Sequence, residues 1–146
     1  MNIIRIAAGK KQFPSSAVLF TVDDGWRGNK DNIAAIAKKY KIPVTIFAST
    51  QPIGTGEPYW WSVIAAANKK GMLAQSVTDL KKVPNEERVA IVNKMKEQLS
   101  FDRDALTVEE LKEMSNEGFV TIGSHTVTHP ILINCADEQA AFEIQE

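Results

Sequence analysis

At 146 residues, 44% of them hydrophobic and 24% charged, the chain is long enough for one modest domain with a real core and too apolar for disorder. A formal net charge of −1 excludes the strongly basic balance of a nucleic-acid or anionic-membrane binder. No apolar run approaches the roughly 20 residues that a spanning helix needs, so no membrane span is expected.

"MNIIRIAAGKKQFPSS" places its Lys pair after a short apolar stretch rather than before it, and is read as neither signal peptide nor anchor. "AVLFTV" (17–22) is short, apolar and β-branched and stops at "DDG", which predicts a buried strand. Over 29–40, "NKDNIAAIAKKY" spaces Ile33, Ile36, Ala37 and Tyr40 along one helical face. "IPVTIFAS" (42–49) is the next strand. A strand, helix, strand order with short links predicts a parallel crossover and an α/β architecture.

"TQPIGTGEPYWWS" then reads as a Gly- and Pro-rich loop carrying an aromatic cluster. "VIAAANKKG" predicts a short helix ended by Gly71, and "VPNEERVAIVNKMKEQLS" a second one with Val89, Val92, Met95 and Leu99 on one face. These segments, at about 50–105, are expected to form an insertion on the working face. "TVEELKEMSNEG" has Thr107 and Glu110 in capping-box spacing and stops at Gly118. "FVTIGS" (119–124) is a third strand, "HTVTHP" follows it, and "DEQAAFEIQE" opens another helix. No domain boundary or repeat interrupts residues 1–146.

The adjacent carboxylates Asp23 and Asp24 repel each other unless a cation lies near them or one is kept for proton transfer. His125 and His129 are the only histidines, and a spacing of four would arise at random with odds on the order of 1%. One helical turn would put both imidazoles on the same side, as two ligands of one metal require; a pair of loop histidines bonded to backbone groups is the alternative. Both motifs follow predicted strands, where parallel α/β folds assemble their sites. Two imidazoles and one carboxylate make a catalytic zinc-type ligand set, and the other carboxylate is left to act as general base. Cys135, the only cysteine, allows no internal disulfide and is compatible with a reducing compartment; the sequence does not name the compartment, and the absence of a visible signal peptide favours the cytoplasm for the chain as written. No motif surrounds Cys135, which reads as a small semi-buried hydrophobe.

"TVDDG" and "HTVTH" resemble the two leading motifs of the NodB-homology polysaccharide deacetylases, carbohydrate esterase family four, with Val22 in place of the family's Phe. "YKIPVTIFAS" and "LTVEELKEMSNEGFVTIGSHTVTHP" also look like family text, so the resemblance runs from about Ala17 to the end. It implies a distorted (β/α) barrel related to the TIM barrel, of which this chain is the front half, truncated after the second motif. It implies Asp23 as catalytic base, Asp24, His125 and His129 as metal ligands, and Thr126 as a brace of the histidine loop. The cofactor implied is a divalent transition metal, zinc first, with cobalt, nickel or manganese as alternatives. The reaction implied is removal of N-acetyl groups from amino sugars of a polysaccharide or glycoconjugate.

Tyr59, Trp60 and Trp61 are candidates for a sugar-stacking wall or for core packing, and Arg27 for an anion contact or for charge balance. The family's later motifs, an Arg segment, a tryptophan wall and a late histidine acid, are absent before Glu146. An open sheet edge, self-association and poor activity of this chain alone are therefore expected. A non-catalytic carbohydrate- or metal-binding module of the same fold is the alternative reading. A dehalogenase-type phosphatase is excluded, because Val22 fills the first position of the Asp-x-Asp-Gly it needs.

Overall fold

A computed structural model describes Gln12 and residues 15–145. The stretch 1–11, where a signal peptide would begin, lies outside these residues. Three strands, β1 (Phe20–Val22), β2 (Val44–Ala48) and β3 (Val120–Ser124), form one parallel sheet in the order β1-β2-β3. Register pairs Val22 with Ile46, and Ala48 with Ser124. The C-terminal ends of the strands are thereby aligned along one rim.

β1 is shorter and more open than its composition suggests. Only three residues pair, and Leu19 and Phe20 are 56% and 50% exposed, because β2 is the only strand β1 meets among the described residues. The expectation of a buried strand over 17–22 is corrected on this point, and among the described residues the outer edge of β1 is unpaired, as an open sheet edge would be. The helix after β1 also differs from its sequence pattern. It begins as a π-helical stretch, Lys30–Ala34, and continues as α1 (Ala35–Tyr40). The wider first turn shifts the buried face to Ala34 and Ala37, with Ile33 packed beside them. Ile36 and Tyr40, placed on the core face by helical spacing, are 54% and 61% exposed.

The Gly- and Pro-rich segment after β2 is not all loop: Thr50–Thr55 forms a helical turn and a half, α2. Pro52 lies in its first turn, where a missing N–H costs nothing, and Gly56 ends it at φ 77°. Next come α3 (Trp60–Lys69), α4 (Val77–Leu80) and α5 (Asn85–Lys96). A Ser76–Asp79 capping box starts α4, which the apolar pattern does not reveal. Trp60, Val63, Ile64, Ala67, Leu80, Val92 and Met95 give these helices a core of their own. In α5 the buried face runs through Asn85, Arg88, Val92 and Met95, whereas Val89 is exposed.

α6 (Val108–Asn116) opens with the Thr107–Glu110 capping box that the sequence signals, its two reciprocal bonds at 2.9 and 3.1 Å. Its Met114 joins Ala34, Ala37, Val44, Ile46, Leu106 and Val120 in the core against the sheet. α7 (Asp137–Gln145) follows the histidine segment. A third cluster, Ala48, Ile53, Tyr59 and Ala105, lies where β2 ends and the helical segment begins. Among the described residues no helix is long and apolar enough to cross a membrane.

Candidate metal centre

The chain turns sharply after β1. Asp24 and Gly25 have φ of 74° and 83°, a left-handed pair that Asp tolerates and Gly adopts without strain. Gly25 is also required by space: a Cβ there would stand 3.0 Å from Ala48 Cβ and 3.2 Å from Ile53 Cδ1. The tight packing of this turn on β2 fixes the direction of the Asp24 side chain. Trp26 Nε1 donates to Asp24 Oδ2 at 3.0 Å, and the buried Tyr59 hydroxyl donates to the Asp24 carbonyl. Burial, reinforced by the Asp24 charge, holds the Tyr59 phenol far above its ordinary pKa, so it serves as a neutral donor.

The histidines follow β3 in a loop rather than in a helical turn, which corrects the geometry expected from their spacing. Thr126 and His129 have φ of 67° and 57°, and this double left-handed bend curls the loop so that both rings face the same point. Thr126 Oγ1 accepts from the His129 N–H at 3.1 Å, across the bend. His125 N donates to Ala48 O at 3.1 Å, and Ser49 Oγ donates to His125 O at 2.9 Å, which ties the loop to the end of β2. Gly123 serves the same end of the sheet, because any Cβ there would fall 2.6 Å from the Phe47 ring.

Asp24 Oδ1 lies 3.0 Å from His129 Nε2 and 3.5 Å from His125 Nε2. One donor atom from each of the three residues falls within 4.8 Å of the others. Ligands about 2.0–2.1 Å from a tetrahedral ion are separated by roughly 3.3 Å, so the donor set fits a small transition-metal cation. Its chemistry fits too: burial lowers the His129 pKa, against the raising effect of Asp24, and a neutral imidazole offers a lone pair. His129 Nδ1 is buried without a hydrogen-bond partner, so its ring is held by packing edge-on against Trp61, centroids 4.6 Å apart.

Asp23, next to Asp24 in the chain, is exposed, and its carbonyl accepts from Gly25 N at 3.0 Å. Arg27 is exposed, with its backbone N–H on Asp104 O at 2.7 Å. The two tryptophans differ. Trp60 is buried, its Nε1 donates to His129 O at 3.0 Å, and the Arg88 guanidinium lies over its ring at 4.8 Å. Trp61 stacks on Tyr59 with centroids 4.6 Å apart, and both tryptophans line a cavity of about 380 Å³ together with Asp24, His129, Val77, Lys81 and Ile131. Cys135 is half-buried, its thiol within 3.6 Å of Ile131 O and pushed up in pKa by burial.

Sequence reasoning did not find Trp26, Tyr59 as a hydrogen-bond donor, Ser49 or Glu143. Trp26 sits two residues from Asp24, and that proximity was an available signal. The other three reach the site only through the fold.

A parallel α/β sheet carrying one carboxylate and two imidazoles at its strand ends defines a protein with a three-donor site on the C-terminal rim. The polysaccharide deacetylase family model matches residues 10–146, and the chain belongs to that family. Among solved structures it is similar to a de-N-acetylase from Aggregatibacter actinomycetemcomitans, at 22% identity and a TM-score of 0.52, over 85% of this chain and 35% of that one. It is also similar to the BpsB deacetylase domain from Bordetella bronchiseptica, at 20% identity and a TM-score of 0.48, over 87% of this chain and 36% of that one. The first likeness bears on the fold, a partial deacetylase α/β architecture, and the chain spans little more than a third of either structure. No curated protein matches the sequence.

Proposed function

We propose that this chain carries the metal-binding part of a hydrolase that removes N-acetyl groups from amino sugars of a polysaccharide or glycoconjugate. One observation supports it above the others: Asp24 Oδ1 faces both imidazole Nε2 atoms, at 3.0 and 3.5 Å, with a second carboxylate adjacent in the chain. Asp24, His125 and His129 would hold a divalent transition metal, zinc first, with cobalt, nickel and manganese as alternatives. Such a cation supplies Lewis-acid chemistry, polarising the amide carbonyl and acidifying water.

In this reading Asp23 takes a proton from the attacking water. Water adds to the acetyl carbon, the proton it gave up passes on to the amide nitrogen as the C–N bond breaks, and acetate and a free amine result. Asp23 and Asp24 can take different roles because Asp24 is fixed by Trp26 and faces the histidines while Asp23 stays exposed. Trp61 offers the apolar face of a pyranose ring a stacking surface at the cavity wall, while Trp60 orients the histidine loop. Arg27, exposed and outside the cavity lining, is read as a contact for an anionic group of the substrate, with charge balance as its alternative role. Residues 1–146 are read as part of one deacetylase domain, with the helices at about 50–105 as an insertion beside the site.

The test is metal content followed by acetate release. The chain should retain about one equivalent of transition metal after dialysis, and His129→Ala should lose it. Acetate released from N-acetylglucosamine oligomers by a protein that carries the complete domain supports hydrolysis, whereas metal and oligomer binding without acetate in that same protein selects the non-catalytic module. Metal content equal in parent and His129→Ala removes the ligand assignment.

A further inference from the structure

Most of the carbonyls of the histidine loop are taken by groups earlier in the chain. Ser49 Oγ donates to His125 O at 2.9 Å, Thr50 N to Thr126 O at 3.1 Å, Gln51 N to Val127 O at 2.9 Å, and Trp60 Nε1 to His129 O at 3.0 Å. Two N–H groups at the centre of the loop point the other way. Val127 N and Thr128 N donate to Glu143 Oε2 at 2.9 and 2.8 Å, and the Thr128 hydroxyl donates to Glu143 Oε1.

Glu143 is 1% exposed, a depth at which a carboxylate must be met by donors. The hydrogen bonds that meet it come from the histidine loop, and Arg88 of α5 is near enough to feel its charge. The loop needs such an anchor: Thr126 and His129 both occupy the left-handed region, which non-glycine residues keep only when their surroundings over-determine it.

We propose that Glu143 is a positioning residue for the metal ligands, clamping the two residues before His129 so that the loop presents both Nε2 atoms to Asp24. The proposal rests on the reading of Asp24, His125 and His129 as ligands. In its terms α7 is part of the site's machinery, although it contributes no donor to the cation.

The experiment titrates the chain with Zn²⁺ alone by calorimetry and records the visible spectrum with Co²⁺, for the parent, Glu143→Ala, Glu143→Gln, Thr128→Val and Met114→Ala. Glu143→Ala should bind Zn²⁺ about tenfold more weakly or worse, the usual effect of losing a partner that orients ligands. Glu143→Gln keeps an acceptor of the same shape and should restore affinity to within about threefold of the parent. Met114→Ala, a truncation in the core between α6 and the sheet, should lower the unfolding temperature with affinity and Co²⁺ spectrum unchanged. Thr128→Val, which deletes only the hydroxyl bond, should weaken Zn²⁺ binding about threefold and shift the Co²⁺ bands, and it decides the question if Glu143→Ala does not fold.

Parent-like affinity in Glu143→Ala, or an unaltered affinity and spectrum in Thr128→Val, overturns the proposal. So does a loss of affinity in Met114→Ala that parallels its loss of stability. A parent chain that binds no Zn²⁺ removes the ligand reading and this inference with it, whereas a tight-binding parent with unaffected Glu143 and Thr128 variants removes the inference alone.

Discussion

Trp26 Nε1 and Asp24 Oδ2 are 3.0 Å apart, and this single bond divides the labour of one carboxylate. Oδ2 is engaged by the indole, which leaves Oδ1 as the atom that faces His125 and His129. Replacing Trp26 by Phe keeps an aromatic ring against Tyr59 but removes the N–H. Trp26→Phe should weaken Zn²⁺ binding about tenfold, within the range for hydrogen bonds to charged groups. Titration calorimetry measures it, and an unchanged affinity means that the turn alone orients Asp24.

The adjacent carboxylates should respond differently to the same change. Asp24→Asn exchanges a charged oxygen donor for a neutral one and should lose metal and activity together. Asp23→Asn should keep the metal while acetate release falls roughly 10²–10⁴-fold, because the amide cannot accept the proton. Metal analysis beside an acetate assay, in a protein that carries the complete domain, separates the two. Metal lost from Asp23→Asn and kept by Asp24→Asn would exchange their roles.

Gly25→Ala tests the turn. The new methyl would meet Ala48 Cβ at 3.0 Å with the backbone at φ 83°, so crowding and left-handed strain add. A loss of about 2–4 kcal/mol is expected, measured by denaturant unfolding. A loss below about 0.5 kcal/mol would show that the turn can move away from β2.

Thr107→Ala removes half of the capping box on α6, far from the histidines in sequence. Stability should fall by about 1 kcal/mol, with Zn²⁺ affinity unchanged. A parallel loss of affinity would mean that α6 is coupled to the site through the sheet.

The parts of this molecule legible in its sequence are those encoded locally. The Thr107–Glu110 box lies within one turn, "DDG" and "HTVTH" each stand at the end of a strand, and three parallel strands follow from their order. Where the reading departed from the structure, distant chain decides. Ile36 and Tyr40 have helical spacing yet stay exposed, because the π-helical stretch before them changes the phase and β1 has no strand on its outer side among the described residues. The histidine spacing suggested a helix, while the loop takes its shape from Ser49, the first residues of α2, Trp60 and Glu143. Glu143 stands between Phe142 and Ile144 near the end of α7, where local pattern would bury its apolar neighbours and leave the glutamate solvated, the reverse of what the fold does. Its partners are 15 and 16 positions away.

The two ends of the site are about 100 positions apart in the chain, Asp24 after the first strand and His125 after the third. A cation gripped by both would act as a crosslink closing that long loop, and its binding energy would be drawn on by folding itself. Cellular metal supply would then govern how much of the protein survives proteolysis, and not only how fast each copy turns over. Starvation for the ion would appear first as a fall in abundance.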